Sequence, residues 1–146
     1  MLMTEDFRRI AYNHNSGWSQ SFFTDVVVID GPHRTIYLSG IGAEDTTAEN
    51  PEDMRVLAIG DFAEQTRIAY ARIKSLLETH GASLADIVRM KTYVLDAENV
   101  YLYHQVQREA LEGLAPPPHT FLQVAGLASP DMLVEVEVTA VVPLSS

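Results

Sequence analysis

Two kinds of side chain in the last third of the chain are able to move protons: the carboxylates Glu135 and Glu137, and the imidazole His119. A carboxyl group partly withdrawn from water keeps its proton to higher pH, so a half-buried glutamate can aim a water molecule and pass a proton near neutrality. An unperturbed imidazole titrates near 6.5 and is about a quarter charged at pH 7. The surrounding patterns say how these groups are held. Along residues 133–142, Val134, Val136, Val138, Ala140 and Val142 point one way and Leu133, Glu135, Glu137, Thr139 and Val141 the other, as the two-residue period of a strand requires. The first set makes an apolar face for a helix layer. The second places two carboxylates among apolar neighbours, a surface suited to burial against a partner. Pro116, Pro117 and Pro118 stiffen the entry to a strand that begins near His119.

Those strands need a scaffold, and the rest of the chain supplies one. Residues 7–12 read as a short edge strand, and residues 13–17, rich in Asn, Ser and Gly, as a turn. Residues 22–29 and 35–40 are β-rich around Asp30-Gly31, which predicts a hairpin with a loop of about two to four residues. Gly40 and Gly42 leave room for close backbone approach, with amides that could receive a ligand carboxylate. Residues 61–80 carry the clearest helical stripe, Phe62, Thr66, Ala69, Tyr70, Ile73, Leu76 and Leu77, stopped by Gly81. Residues 87–95 form the next strand. Asp96 then caps a second helix running to about Leu111, with Val100, Tyr103, Val106, Ala110 and Leu114 as its buried stripe and His104 beside it. Two helices on one face of a mixed sheet make an α+β layer architecture.

Composition narrows the function. The 146 residues suffice for one domain, spanning 1–146, and 47% of them are apolar. With no cysteine there are no disulfides, thiol nucleophiles or thiolate metal sites, as expected of a cytoplasmic protein. The first residues lack the apolar core of a signal peptide, and no run approaches the ~20 apolar residues of a membrane helix. The net charge of −10, with scattered Lys and Arg, repels phosphate backbones and argues against nucleic acid as a partner. His14, His33 and His80 lack metal-ligand spacing, so no metal is expected, and no phosphate-binding loop or nucleophile elbow points to a cofactor or a serine hydrolase.

The order Pro117-x-His119-Thr120-x-x-x-Val124-x-x-Leu127, followed by Leu133-Val134-Glu135-Val136-Glu137-x-x-Ala140, resembles the RidA/YjgF family of small trimeric proteins, whose best-known members are enamine and imine deaminases. Gln65-Thr66, Leu77 and Gly81-Ala82-Ser83-x-x-Asp86-Ile87-Val88 extend the resemblance, which spans about residues 17–142. It implies a chorismate-mutase-like fold, a homotrimer, and small-molecule pockets between subunits. It also implies site residues. Glu135 stands at the family's glutamate and would orient water and shuttle protons, while Glu137 serves the same site or an intersubunit contact. Trp18 takes the place of an aromatic flanking the pocket, Ser39-Gly40 match a Ser-Gly pair, and His104 stands where an Asn is common. At Pro117-Pro118-His119-Thr120 the family reads Pro-Ala-Arg-Ser, so Thr120 replaces a serine and His119 the arginine that grips a substrate carboxylate with two prongs, which an imidazole cannot do. His119 is therefore either a second acid/base opposite Glu135 or a benign replacement in a binding pocket. The expected activity is hydrolysis or tautomerisation of a small imine, enamine or related carbonyl compound rather than of a standard 2-imino acid. The other expectations are a non-catalytic ligand-binding or regulatory trimer and, last, a nuclease.

Overall fold

The computed structural model describes residues 6–14 and 17–144; Asn15 and Ser16 of the expected turn, and the first five residues of the chain, lie outside them. The strands and helices follow in the order β1 (Arg8–Tyr12), β2 (Val26–Asp30), β3 (His33–Tyr37), α1 (Phe62–Thr79), β4 (Ile87–Val94), α2 (Val100–Ala110), β5 (His119–Gln123) and β6 (Val134–Pro143). Four strands form a mixed sheet in the order β3-β6-β4-β5, with β6 antiparallel to both neighbours and β4 parallel to β5. The parallel step is made by α2, as a crossover between parallel strands requires. The α+β architecture with two helices on one sheet face is as expected.

The core lies between that sheet and the helices. Val134, Val136, Val138 and Ala140 of β6 are buried against Ala69, Tyr70, Ile73 and Leu77 of α1 and Tyr103 and Val106 of α2. Burying each of the larger side chains stabilises the fold by about 1.5–3 kcal/mol. Asp61 caps α1, accepting from the Glu64 amide at 3.0 Å. Asp96 caps a 3-10 turn, Ala97–Asn99, that leads into α2. Both helical stripes are rotated slightly from the expected ones. On α1, Gln65 is buried and Leu76 is exposed. On α2, His104 and Gln107 are buried, while Val100 and Ala110 are only partly so and Leu114 lies exposed beyond the helix. In each case a polar side chain that can hydrogen-bond inside displaces an apolar one at the stripe's edge.

The expected hairpin of β2 with β3 is absent. β2 pairs instead with β1 in a separate antiparallel ribbon, Arg8 opposite Asp30 through Tyr12 opposite Val26, and β3 pairs with β6. Gly31 makes the sharp passage between the two sheets at φ 82°, where a Cβ would lie 2.5 Å from the Asp6 carbonyl oxygen. Pro32, without an N–H, suits a corner better than a ladder.

Gln65 ties the start of α1 to the entry of β6. Its fully buried amide donates to the carbonyls of Ala58 and Asp131 at 3.3 and 3.0 Å and accepts from the Leu133 amide at 2.9 Å. Gln65→Leu keeps the volume but takes the side-chain partner from the Asp131 carbonyl and the Leu133 amide, while the Ala58 carbonyl keeps the Asp61 amide. It is expected to lower the unfolding free energy by about 2 kcal/mol or more at unchanged m-value, measured by urea denaturation.

Candidate functional site

The strand registers decide which side chains meet. Met90, Thr92 and Val94 of β4 are buried and face the helices. His119 lies beside Met90 and Phe121 beside Thr92, so both β5 side chains point to the helix side of the sheet. Glu135 is paired with Tyr93 and Glu137 with Lys91, on the opposite side. Within one chain, then, the expected His119/Glu135 pair lies on two faces of the same sheet. The sequence-predicted residues separate likewise: Trp18, His104 and His119 gather on the helix side, Gly40 and Glu135 on the other.

The helix-side group lines a cavity of about 520 Å³. Its floor is His119, Phe121 and His104. Val100 and Tyr101 come from the start of α2, and Trp18, Phe22 and Phe23 from the turn before β2. The turn is fastened in place: the buried Gln107 of α2 donates to the Phe22 carbonyl at 3.0 Å, and the Thr24 hydroxyl donates to the Pro116 carbonyl at 2.6 Å. The prolines, which have no N–H, hold position through their carbonyls; that of Pro118 accepts from the Met90 amide at 2.9 Å. The rings then lock edge to face, Phe22 on His104 with centroids 4.4 Å apart and His104 on His119 at 6.0 Å.

Both imidazoles are uncharged in this setting. Burial lowers the pKa of His119 to about 3, with His104 and Arg89 adding to the effect. Burial, then the Arg108 guanidinium, lowers that of His104 to about 4. The expectation that a quarter of His119 is charged at neutral pH is thus replaced by a neutral ring. Among the described residues no Lys or Arg lines the cavity. Trp18 and Tyr101 stand largely exposed at its lip.

On the other face Gly40, Tyr93, Glu135, Glu137 and the segment from Val124 to Ala128 surround a shallower hollow of about 430 Å³. Burial first, and the nearby carboxylates of Glu44 and Glu137 next, raise the pKa of Glu135 from its ordinary value. A Cβ at Gly40 would lie 2.7 Å from the Glu135 carboxyl carbon, so the close approach expected there is taken up by this side chain. The Gly42 amide is likewise engaged, donating to Glu44 at 3.1 Å. Ser39 is exposed next to Gly40, and Thr120 accepts from Arg89 at 2.7 Å. Sequence reasoning passed over Phe22, Phe23, Tyr101 and Phe121. Phe121 was within its reach, being two residues from His119 and so on the same strand face.

The sequence pattern of the family called endoribonuclease L-PSP matches residues 20–142. A RutC family protein of Pyrococcus abyssi is 35% identical over 81 residues, 56% of this chain and 62% of that protein, so the chain spans less than two thirds of that relative's length. Among solved structures, the Rid-family protein YyfB of Yersinia pestis, described as of unknown function, superposes with a TM-score of 0.74 at 27% identity, covering 93% of this chain and 98% of its own. The YjgF-family protein Rv2704 of Mycobacterium tuberculosis gives 0.61 at 27% identity, with 92% and 100% covered.

The neutral imidazoles have a consequence for acid stability. The unfolded chain takes up these protons as pH falls through about 6.5, whereas the fold resists until about 4 at His104 and about 3 at His119. Their contribution is therefore complete above about 6.5 and is lost as the pH drops from there toward the folded values. The difference in unfolding free energy between pH 7 and pH 5 is expected to shrink in His119→Phe relative to the unsubstituted chain. Two imidazoles should also show no NMR titration over that interval.

Proposed function

The chain belongs to the RidA/YjgF family, and on that footing we propose that it hydrolyses or tautomerises a small uncharged imine, enamine or related carbonyl compound in a cleft that a second copy of the chain completes. The observation that carries the reading is Glu135: half-buried and crowded by two further carboxylates, it holds its proton more firmly than a solvated glutamate. Gly40 against its carboxyl group limits where it can point.

Hydrolysis of a C=N bond asks for two proton movements. As water oxygen attacks the carbon, one water proton passes to a carboxylate and a proton passes to nitrogen. The resulting aminoalcohol then passes its hydroxyl proton, by way of the same carboxylate, to nitrogen as the C–N bond breaks, the carbonyl forms and ammonia leaves. Glu135 alternating between its two forms serves both movements. An enamine needs only protonation at carbon to enter the same sequence. The ring-lined cavity supplies the apolar half of the cleft, and its neutral imidazoles and missing cation favour a substrate without a carboxylate over a 2-imino acid.

Two half-sites on opposite faces of one sheet serve a single ligand only if the cavity of one copy meets the Glu135 face of another. The half-buried carboxylates of β6, beside the exposed Leu122, and the exposed Trp18 and Tyr101 at the cavity lip favour such an assembly, in the homotrimer of the family. On this reading sedimentation gives a trimer, and neutral imines release ammonia with a kcat that Glu135→Gln lowers by about 10²-fold or more while ligand affinity stays within a few-fold. Undiminished turnover in Glu135→Gln, or a monomer, overturns the reading. Tight binding of imines without any turnover makes the protein a ligand-binding module instead.

A further inference from the structure

A line of polar groups runs from the cavity floor into the core. His119 Nε2 is 2.8 Å from Thr92 Oγ1, which is 2.7 Å from the Tyr103 hydroxyl. That hydroxyl is 2.8 Å from the Tyr70 hydroxyl, and Met90 Sδ lies 3.3 Å from Tyr70 and 3.6 Å from Tyr103. Thr92, Tyr103, Tyr70 and Met90 are all buried. The line has a direction, because each hydroxyl owns one proton and a thioether owns none. Tyr70 donates to the sulfur, which can only accept, and Tyr103, with a single proton, donates to Tyr70, its own contact with the sulfur being the longer one. Thr92 donates its proton to Tyr103 and has none left for the ring. It can only accept from His119. The reverse order would leave an Nδ1–H on His119 in a place with no acceptor, and buried N–H groups without partners are rare and costly.

We infer that this line locks His119 as its Nε2–H tautomer, with Thr92 and Tyr103 as positioning residues, so that the bare Nδ1 accepts one N–H or O–H from an uncharged, apolar ligand in the cavity. Among the described residues Nδ1 of His119 has no partner, nor has Nδ1 of His104, whose ring is 6.0 Å away; both atoms are shut off from water, so a ligand must part the surrounding rings to reach them. Enamines, primary amides and enols have the required donor on a flat, largely apolar frame; carboxylates and fully substituted amides do not. His119 on this account orients a ligand, and proton exchange stays with Glu135. The inference rests on the proposed reading only in taking the cavity as the ligand site, since the tautomer is set with no ligand present.

Long-range ¹H–¹⁵N NMR correlations on the full chain at pH 7 read the tautomer directly. His119 is expected to show a pyrrole-like Nε2 and a pyridine-like Nδ1. Thr92→Val should shift that pattern toward the other tautomer, and Thr92→Ser, which restores the hydroxyl, should return it. A protonated Nδ1 in the unsubstituted chain, or an unchanged pattern in a folded Thr92→Val, overturns the lock. Ligand preference is read from the single tryptophan, Trp18 at the cavity lip, with four probes: benzamide, N-methylbenzamide, N,N-dimethylbenzamide and benzoate. The first two are expected to bind at least about tenfold tighter than the last two, and the advantage should vanish in Thr92→Val. Equal binding by the dimethyl amide, tighter binding by benzoate, or no binding by any of the four overturns the donor requirement. Absence of imine turnover would leave all these readouts unchanged and would count against the catalytic proposal alone.

Discussion

β6 is flanked on both sides, by β3 and β4, and its two-residue period divides the molecule. Valines on one side of it are sealed under α1 and α2; carboxylates on the other look out from the sheet. Every side chain on β4 and β5 inherits its side from that register. A slip of one residue would turn Glu135 into the core and a valine outward, an exchange the buried helix layer forbids energetically. The placement of acid chemistry on one face and imidazoles on the other follows from packing.

The two faces also differ electrically. On the helix side, burial keeps His104 and His119 neutral, and the polar groups beneath them are matched hydroxyl to hydroxyl until the last meets a sulfur. On the open side, burial first and then repulsion from Glu44 and Glu137 make Glu135 hold its proton more firmly than a solvated glutamate. On the proposed reading the half-buried carboxyl group and the ring-lined cavity serve one chemistry, the first exchanging protons and the second excluding water.

Much was legible from spacing. The apolar stripe between Phe62 and Leu77, the alternation from Val134 to Val142 and the cap Asp96 rest on local periods and local hydrogen bonds, and the folded chain has them, Asp96 one 3-10 turn ahead of α2. The lone Trp18, His104 and His119 were singled out on resemblance and do share a cavity. What spacing missed was pairing. β2 and β3, joined by Asp30-Gly31, looked like a hairpin and belong to different sheets, because β1 takes the edge of β2 and local sequence does not rank distant partners. The His119/Glu135 pair, expected across a subunit boundary, is divided by strand parity within one chain, where the two side chains lie on opposite faces of the sheet.

The amino-acid sequence by itself determined which residues carry protons, which faces are apolar and where helices begin and end, since these depend on neighbours within a turn or two of chain. Only the tertiary structure decided the charge state of the imidazoles, the crowding of Glu135 by Glu44 and the hydrogen-bonded line from His119 to Met90. Those properties depend on burial and on groups brought together from distant parts of the chain, and the folded sheet is what brings them within 3 Å or so of each other.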